Sequence, residues 1–225
     1  MKLILTNDDG VDAPGIQALQ QAVAGMGIIV APKKQHSGCG HQITTDRPLQ
    51  LHCRSENEYA VDGTPADCSR LALTQIVRDA DWVLSGINAG GNLGVDVYVS
   101  GTVAAVREAA ILGVRGIAIS HWIKRPWEID WKQATRWTKM VLEDLMARPI
   151  PVGTYWNVNL PHLKPNSPEP EIVFCEPSIE PLPVEYRVEE SLYYYQGNYD
   201  QRSRFPGSDV DVCFSGKIAV TKLSL

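Results

Sequence analysis

The sequence has five cysteines (Cys39, Cys53, Cys68, Cys175 and Cys213) but no C-x-x-C pair. Odd in number and scattered, they argue against a structural zinc site and against a disulfide framework. Reduced thiols in a cytosolic setting fit them. No lysine- or arginine-rich block occurs: 21 cations face 26 acids, for a formal net charge of −5. Affinity for a phosphate backbone rests on clustered cations, so no nucleic-acid polymer is expected as a partner. No apolar run approaches the roughly 18–20 residues of a membrane span. The N-terminus, with one lysine, a short apolar run and then acids, does not have the form of a leader peptide. Neither G-x-x-x-x-G-K-[ST] nor G-x-S-x-G is present, which removes a P-loop and a nucleophile elbow. "GINAGGNLG" does not follow the first strand with dinucleotide-fingerprint spacing, so NAD is not expected either. These absences together predict a soluble, cytoplasmic protein that binds no membrane.

The 225 residues, 44% hydrophobic and 21% charged, are enough for a sizeable core. Short unbroken apolar runs at 2–6, 27–31, 81–85 and 115–120 have the form of parallel strands buried on both faces. Between them lie helical patterns. Ile16, Leu19 and Val23 follow Asp12, a candidate N-cap, and Pro14. Leu73, Ile76 and Val77 mark a helix from near Pro65, and Val103, Val106 and Ala110 one from after Gly101–Thr102. Ala134, Trp137, Val141 and Leu145 mark another from Asp130 to Ala147. This alternation predicts an α/β fold with a mostly parallel, doubly wound sheet over residues 1–147. Residues 40–61 are expected as an extended β-like excursion. Nine prolines between Arg148 and Pro183 rule out long helices, and 154–160 and 171–175 are expected as strands. "DVDVCFSGKIAVTKL" alternates and is expected as a β-ribbon, so 148–225 forms a β-rich C-terminal extension packed on the core.

Ligands of open α/β sheets bind beyond the carboxyl ends of the strands. There the chain places Asn7-Asp8-Asp9-Gly10, then Ser37 in "PKKQHSGCG", then Asn88 and Asn92 in "GINAGGNLG", and Ser100-Gly101-Thr102 before a helix. Adjacent carboxylates repel, and each raises the other's pKa in a low dielectric. Two carboxylates, a hydroxyl and an amide carbonyl are hard donors that suit Mg²⁺, Mn²⁺ or Ca²⁺, and such a cation keeps both aspartates ionised. Ser100-Gly101-Thr102 at a helix start suits an anion, so the pairing points to metal-assisted phosphoryl hydrolysis. Ser100 reads as a phosphate ligand rather than a nucleophile, with no neighbouring base evident. His36 and His41 flank Ser37 without an identifiable carboxylate partner and read as hydrogen-bonding or surface groups. Asp209 and Asp211 read as a turn and an exposed strand position, and Trp131 and Trp137 as helix packing.

In order along the chain, "ILTNDDGVDAPGI", "HSGCGHQIT", "GTPADC", "SGINAGGNLG" and "SGTVAAVREA" resemble the SurE family, the survival-protein nucleotidases that remove phosphate from nucleoside monophosphates. "WNVNLP" and "GSDVDV" extend the likeness more weakly. The resemblance implies a Rossmann-like core whose divalent cation, Mg²⁺ or Mn²⁺, is held by Asp8, Asp9, Ser37 and Asn88. It implies that Asn92, Ser100, Gly101 and Thr102 surround the phosphate, and that the protein is a homodimer or homotetramer assembled with help from its C-terminal part. Val99 stands where the family typically has a tyrosine, and "TKL" where it has Thr-Pro-Leu. The expectation is a 5′-nucleotidase in which Asp8 and Asp9 both anchor the cation and serve catalysis, one of them helping to activate the attacking water. The readings left beside it are a phosphatase for other small phosphoesters or short polyphosphate, and a non-catalytic nucleotide-binding protein of the same fold.

Overall fold

The computed structural model describes residues 1–165 and 167–225. Nine strands form one sheet: β1 (Leu3–Thr6), β2 (Ile28–Pro32), β3 (Leu51–Ser55), β4 (Glu58–Val61), β5 (Trp82–Ala89), β6 (Arg115–His121), β7 (Thr154–Leu160), β8 (Ile172–Phe174) and β11 (Ile218–Ser224). Their order is β3-β4-β2-β1-β5-β6-β7-β11-β8. Every pairing is parallel except β3 with β4 and β11 with β7. A separate antiparallel hairpin joins β9 (Tyr186–Glu189) to β10 (Leu192–Tyr195). This is a mostly parallel α/β fold, as the strand–helix alternation predicts.

Period-two alternation sorts the sheet's side chains between two layers. Leu3, Leu5, Ile29 and Leu84 pack with Ile16 and Leu19 of α1 (Pro14–Ala22) and with Trp137, Val141 and Leu145 of α4 (Trp131–Ala147). Ile4, Val30 and Val83 point the other way, onto Cys68 of α2 (Pro65–Leu71) and Val103 and Val106 of α3 (Gly101–Ile111). From β1 the chain winds outward to β2 and then returns across to β5, so the sheet's switch point lies between β1 and β5.

Three local expectations are corrected. The cap of α1 is Ala13, without a side-chain bond, and Asp12 instead pairs with Arg54 at 2.6 Å. The second helix is shorter than its apolar spacing suggests: α2 ends at Leu71 and a π-helical turn spans Ala72–Ile76. The C-terminal ribbon is half helix. Residues Asp209–Phe214 form α5, because Ser208 accepts from the Asp211 backbone and two acids occupy the first turn. Only β11 of that stretch is a strand. Asp209 is therefore buried, not at a surface turn, and accepts from the backbone N–H groups of Gly94 (2.6 Å), Ser178 (2.8 Å) and Val210 (2.8 Å).

Candidate active site

Asn7 builds the turn that delivers the acid pair. Its amide nitrogen donates to the Gly10 carbonyl at 2.8 Å, and its carbonyl oxygen accepts from the Gly10 N–H at 3.2 Å. Gly10 has φ of +106°, open to glycine and unfavourable for other residues. Asp8 and Asp9 thus leave β1 at its carboxyl end, beside the end of β5.

Asp8 is buried, and the Thr102 hydroxyl donates to its Oδ1 at 2.6 Å. Burial pushes its carboxyl up to about 6. The Thr102 hydroxyl opposes that rise, the Asp9 charge adds to it, and the backbone N–H groups of Asp8 and Thr102 also oppose it. Asp9, half-buried, accepts from the Ala89 backbone at 3.1 Å and from Gln35 at 3.3 Å. Gln35 also donates to the Ser37 hydroxyl at 2.8 Å, tying the exposed serine to the acid pair. The Asn88 amide nitrogen is turned back onto the Gly90 carbonyl at 2.8 Å.

Asn92 is held on every side. Its N–H donates to Asn159 Oδ1 at 2.8 Å and its carbonyl accepts from Asn157 (2.9 Å) and Asn159 (3.0 Å). Its side chain donates to the Ser120 hydroxyl at 2.8 Å. Ser100 caps α3, accepting from the Val103 N–H at 3.1 Å. Gly101 sits where a Cβ would meet Asp8 Cβ at 2.9 Å and Cys39 Sγ at 3.0 Å, so the helix start lies directly against the acid pair.

Asp8, Asp9, Ser37, Asn88, Asn92 and Ser100 all border one cleft of about 280 Å³. Gly101 and Thr102 adjoin it, following Ser100 and packed against Asp8, and the Thr102 hydroxyl is committed to Asp8. Three aspartates border the cleft (Asp96 is the third), and among the described residues no lysine or arginine does. A phosphate entering such a cleft meets carboxylate charge, so the donor set fits a bound cation. Among the described residues no group of three or more His, Cys, Asp or Glu side chains is placed to hold a metal; besides its carboxylates the cleft presents the hard oxygens of the Ser37 hydroxyl and the Asn88 amide.

Sequence reasoning missed several neighbours. Asn157 and Asn159 sit at alternate positions of β7, and inward-facing polar residues in an otherwise apolar strand were the available signal. Asp96, Gln35, Leu182 and Tyr199 also border the cleft. His41 does have a carboxylate partner: its Nε2–H donates to buried Glu108 at 2.7 Å, and Arg70 meets the other oxygen at 2.5 Å. This joins the loop carrying Ser37 to α3.

The fold and the cleft define a doubly wound α/β protein with a small-ligand site of oxygen donors at its switch point. Comparison with known proteins gives that class a family. The family model described as Survival protein SurE matches residues 3–179. A Nostoc sp. protein provisionally named a 5′-nucleotidase is 61% identical over 224 residues, 99% of each chain. A 5′-nucleotidase SurE of Geotalea daltonii is 36% identical, covering 100% of this chain and 93% of the relative. The crystal structure of SurE protein from Aquifex aeolicus superposes with a TM-score of 0.88 at 32% identity, covering 100% of this chain and 93% of the other. The chain belongs to the SurE family.

Proposed function

We propose that the protein is a metal-dependent 5′-nucleotidase that hydrolyses nucleoside monophosphates to nucleoside and phosphate, the activity its relatives are named for. The observation that carries the reading is the acid pair at the switch point, packed against the start of α3 and bordering a cleft without a basic side chain among the described residues. Asp8, Asp9, Ser37 and Asn88 hold Mg²⁺ or Mn²⁺, which when bound supplies charge neutralisation and a more acidic water. The remaining work is done by the chain. Ser100, Asn92 and the backbone at Gly101 and Thr102 hold the phosphoryl oxygens at the positive end of α3. Thr102 acts chiefly by keeping Asp8 oriented and ionised. A carboxylate oxygen of Asp8 or Asp9 accepts the proton of the attacking water.

Residues 1–147 carry this chemistry, and 148–225 assist assembly into a homodimer or homotetramer. The exposed β9–β10 hairpin supports that role, since Tyr193, Tyr195 and Leu192 stand in solvent, and sedimentation tests it. A cytoplasmic setting is supported by five free cysteines; among the described residues no helix is long and apolar enough to cross a membrane.

The test of function is phosphate release from a panel of 5′- and 3′-monophosphates with Mg²⁺, Mn²⁺ or EDTA. Turnover is expected with metal, none with EDTA, and a fall on the order of 10³-fold in Asp8→Asn. Full activity in EDTA or in the variant overturns the mechanism.

A further inference from the structure

The loop that carries Ser37 is not held by packing. Gly38 and Gly40 take φ of +70° and +58°, and nothing lies within 4 Å of where a Gly38 Cβ would stand. Glycine-rich backbone loses much freedom when it is ordered, so such a loop depends on its anchors. Two are backbone bonds. The His36 N–H donates to the Asp8 carbonyl at 2.8 Å, and the Gly40 N–H donates to the Val99 carbonyl at 2.9 Å. The third anchor is a side chain. The His41 ring meets two consecutive residues of α3: Nδ1 faces Arg107 Nη1 at 3.5 Å, and Nε2 donates to Glu108 at 2.7 Å. A guanidinium only donates, so the ring proton sits on Nε2, toward the carboxylate.

Glu108 makes this anchor hard to release. Its side chain is 1% exposed. Arg70 of α2 meets one carboxylate oxygen at 2.5 Å, and His41 meets the other, where no second donor reaches it among the described residues. A loop that swung away would leave that oxygen buried and unpaired, which is costly. The receiving side is braced as well: Arg107 donates to the Val97 carbonyl at 2.8 Å and to the Tyr155 hydroxyl at 3.0 Å. The same helix brings Thr102 to Asp8. His41 therefore ties the Ser37 loop to the element that orients the acid pair. Resting on the metal-dependent reading above, we propose that His41 is a positioning residue: through its bond to Glu108 it holds the Ser37 hydroxyl beside Asp8 and Asp9, where the cation is bound.

The experiment titrates Mn²⁺ into the metal-free protein by calorimetry, with no substrate present. In His41→Leu the affinity is expected to fall about three- to tenfold, the worth of one hydrogen bond, with near-ultraviolet dichroism unchanged. His41→Gln sets an amide N–H near the Nε2 position and is expected to restore the parent affinity. His41→Asn, whose amide takes the Nδ1 position instead, is expected to bind as weakly as the leucine variant, and it carries the comparison if that variant does not fold. In a Ser37→Ala background the loss of the His41 ring is expected to weaken binding no further, because two groups acting through one contact are not additive. Parent affinity in both His41→Leu and His41→Asn overturns the proposal. So does a glutamine variant as weak as the leucine one, or a full additive loss in the double variant. A parent protein that binds no Mn²⁺ removes the metal reading itself, and the role of His41 with it.

Discussion

Thr102 shows how much one hydroxyl can decide. It donates to Asp8 from a fully buried position, in a place where burial disfavours the carboxylate. In Thr102→Val the hydroxyl is lost while the branched shape stays. Cation affinity, measured by calorimetry with Mn²⁺, is expected to weaken about tenfold or more, the effect of losing a hydrogen bond to a charged group. Unchanged affinity would show that Thr102 is not what keeps Asp8 ionised. Most of the cleft's own residues were readable in the chain. Asp8, Asp9, Ser37, Asn88, Asn92 and Ser100 are polar groups beside glycines after apolar runs, and strand ends bring them together. Asp96 was not readable, because its partners Tyr199 and Arg202 lie 103 and 106 positions away. Thr102 was expected on the phosphate. Its commitment to Asp8 depends on the close seating of α3, which no local pattern encodes.

At the scale of the element, two packing relations carry the site. The start of α3 rests on Asp8, Cys39 and Pro65 with no room for a methyl group at Gly101. Gly101→Ala is expected to push the helix away from the acid pair, costing about 1–3 kcal/mol of stability and a larger share of activity. Chemical denaturation and phosphate release check it together. Strand β7 offers the second relation. Asn159 bonds both backbone groups of Asn92, and Asn159→Leu orphans the buried N–H while Asn157 still holds the carbonyl. A loss of about 1–3 kcal/mol and a fall in kcat/KM are expected, with far-ultraviolet dichroism unchanged. The strands of the parallel core were readable as unbroken apolar runs because burial on both faces leaves no polar alternation. Helix α5 was misread for a related reason. Its six residues are too few to display a 3.6-residue period, and its Val210 and Val212 spacing imitates a strand. The Ser208 cap was the better signal.

For the whole molecule, acid sets two groups against each other. His121 is buried at the end of β6, its Nδ1–H donating to the Trp122 carbonyl at 2.7 Å, and burial lowers its pKa from 6.5 to about 4. The unfolded chain therefore binds the extra proton first. Stability from this histidine is full above about 6.5 and is lost as pH falls toward 4, by up to about 3 kcal/mol. In the metal-free protein Asp8 acts the other way: its folded pKa of about 6 lies above 3.8, so protonation over that window favours the fold. His121→Asn retains an amide donor for the Trp122 carbonyl and removes the titration. Urea unfolding in EDTA at pH 7, 5 and 4 is expected to show a smaller acid loss in the variant than in the parent, and equal losses would refute the assignment. The sheet order has a consequence in time. Strand β8 has β11 as its neighbour, and β11 is made later. During synthesis β8 stays unpaired until residues 218–224 leave the ribosome, and the segment carrying Tyr199, Arg202 and Asp209 has no finished sheet edge to settle on. A nascent chain thus holds Asp8 and Asp9 long before it holds Leu182 and Tyr199, which border the same cleft.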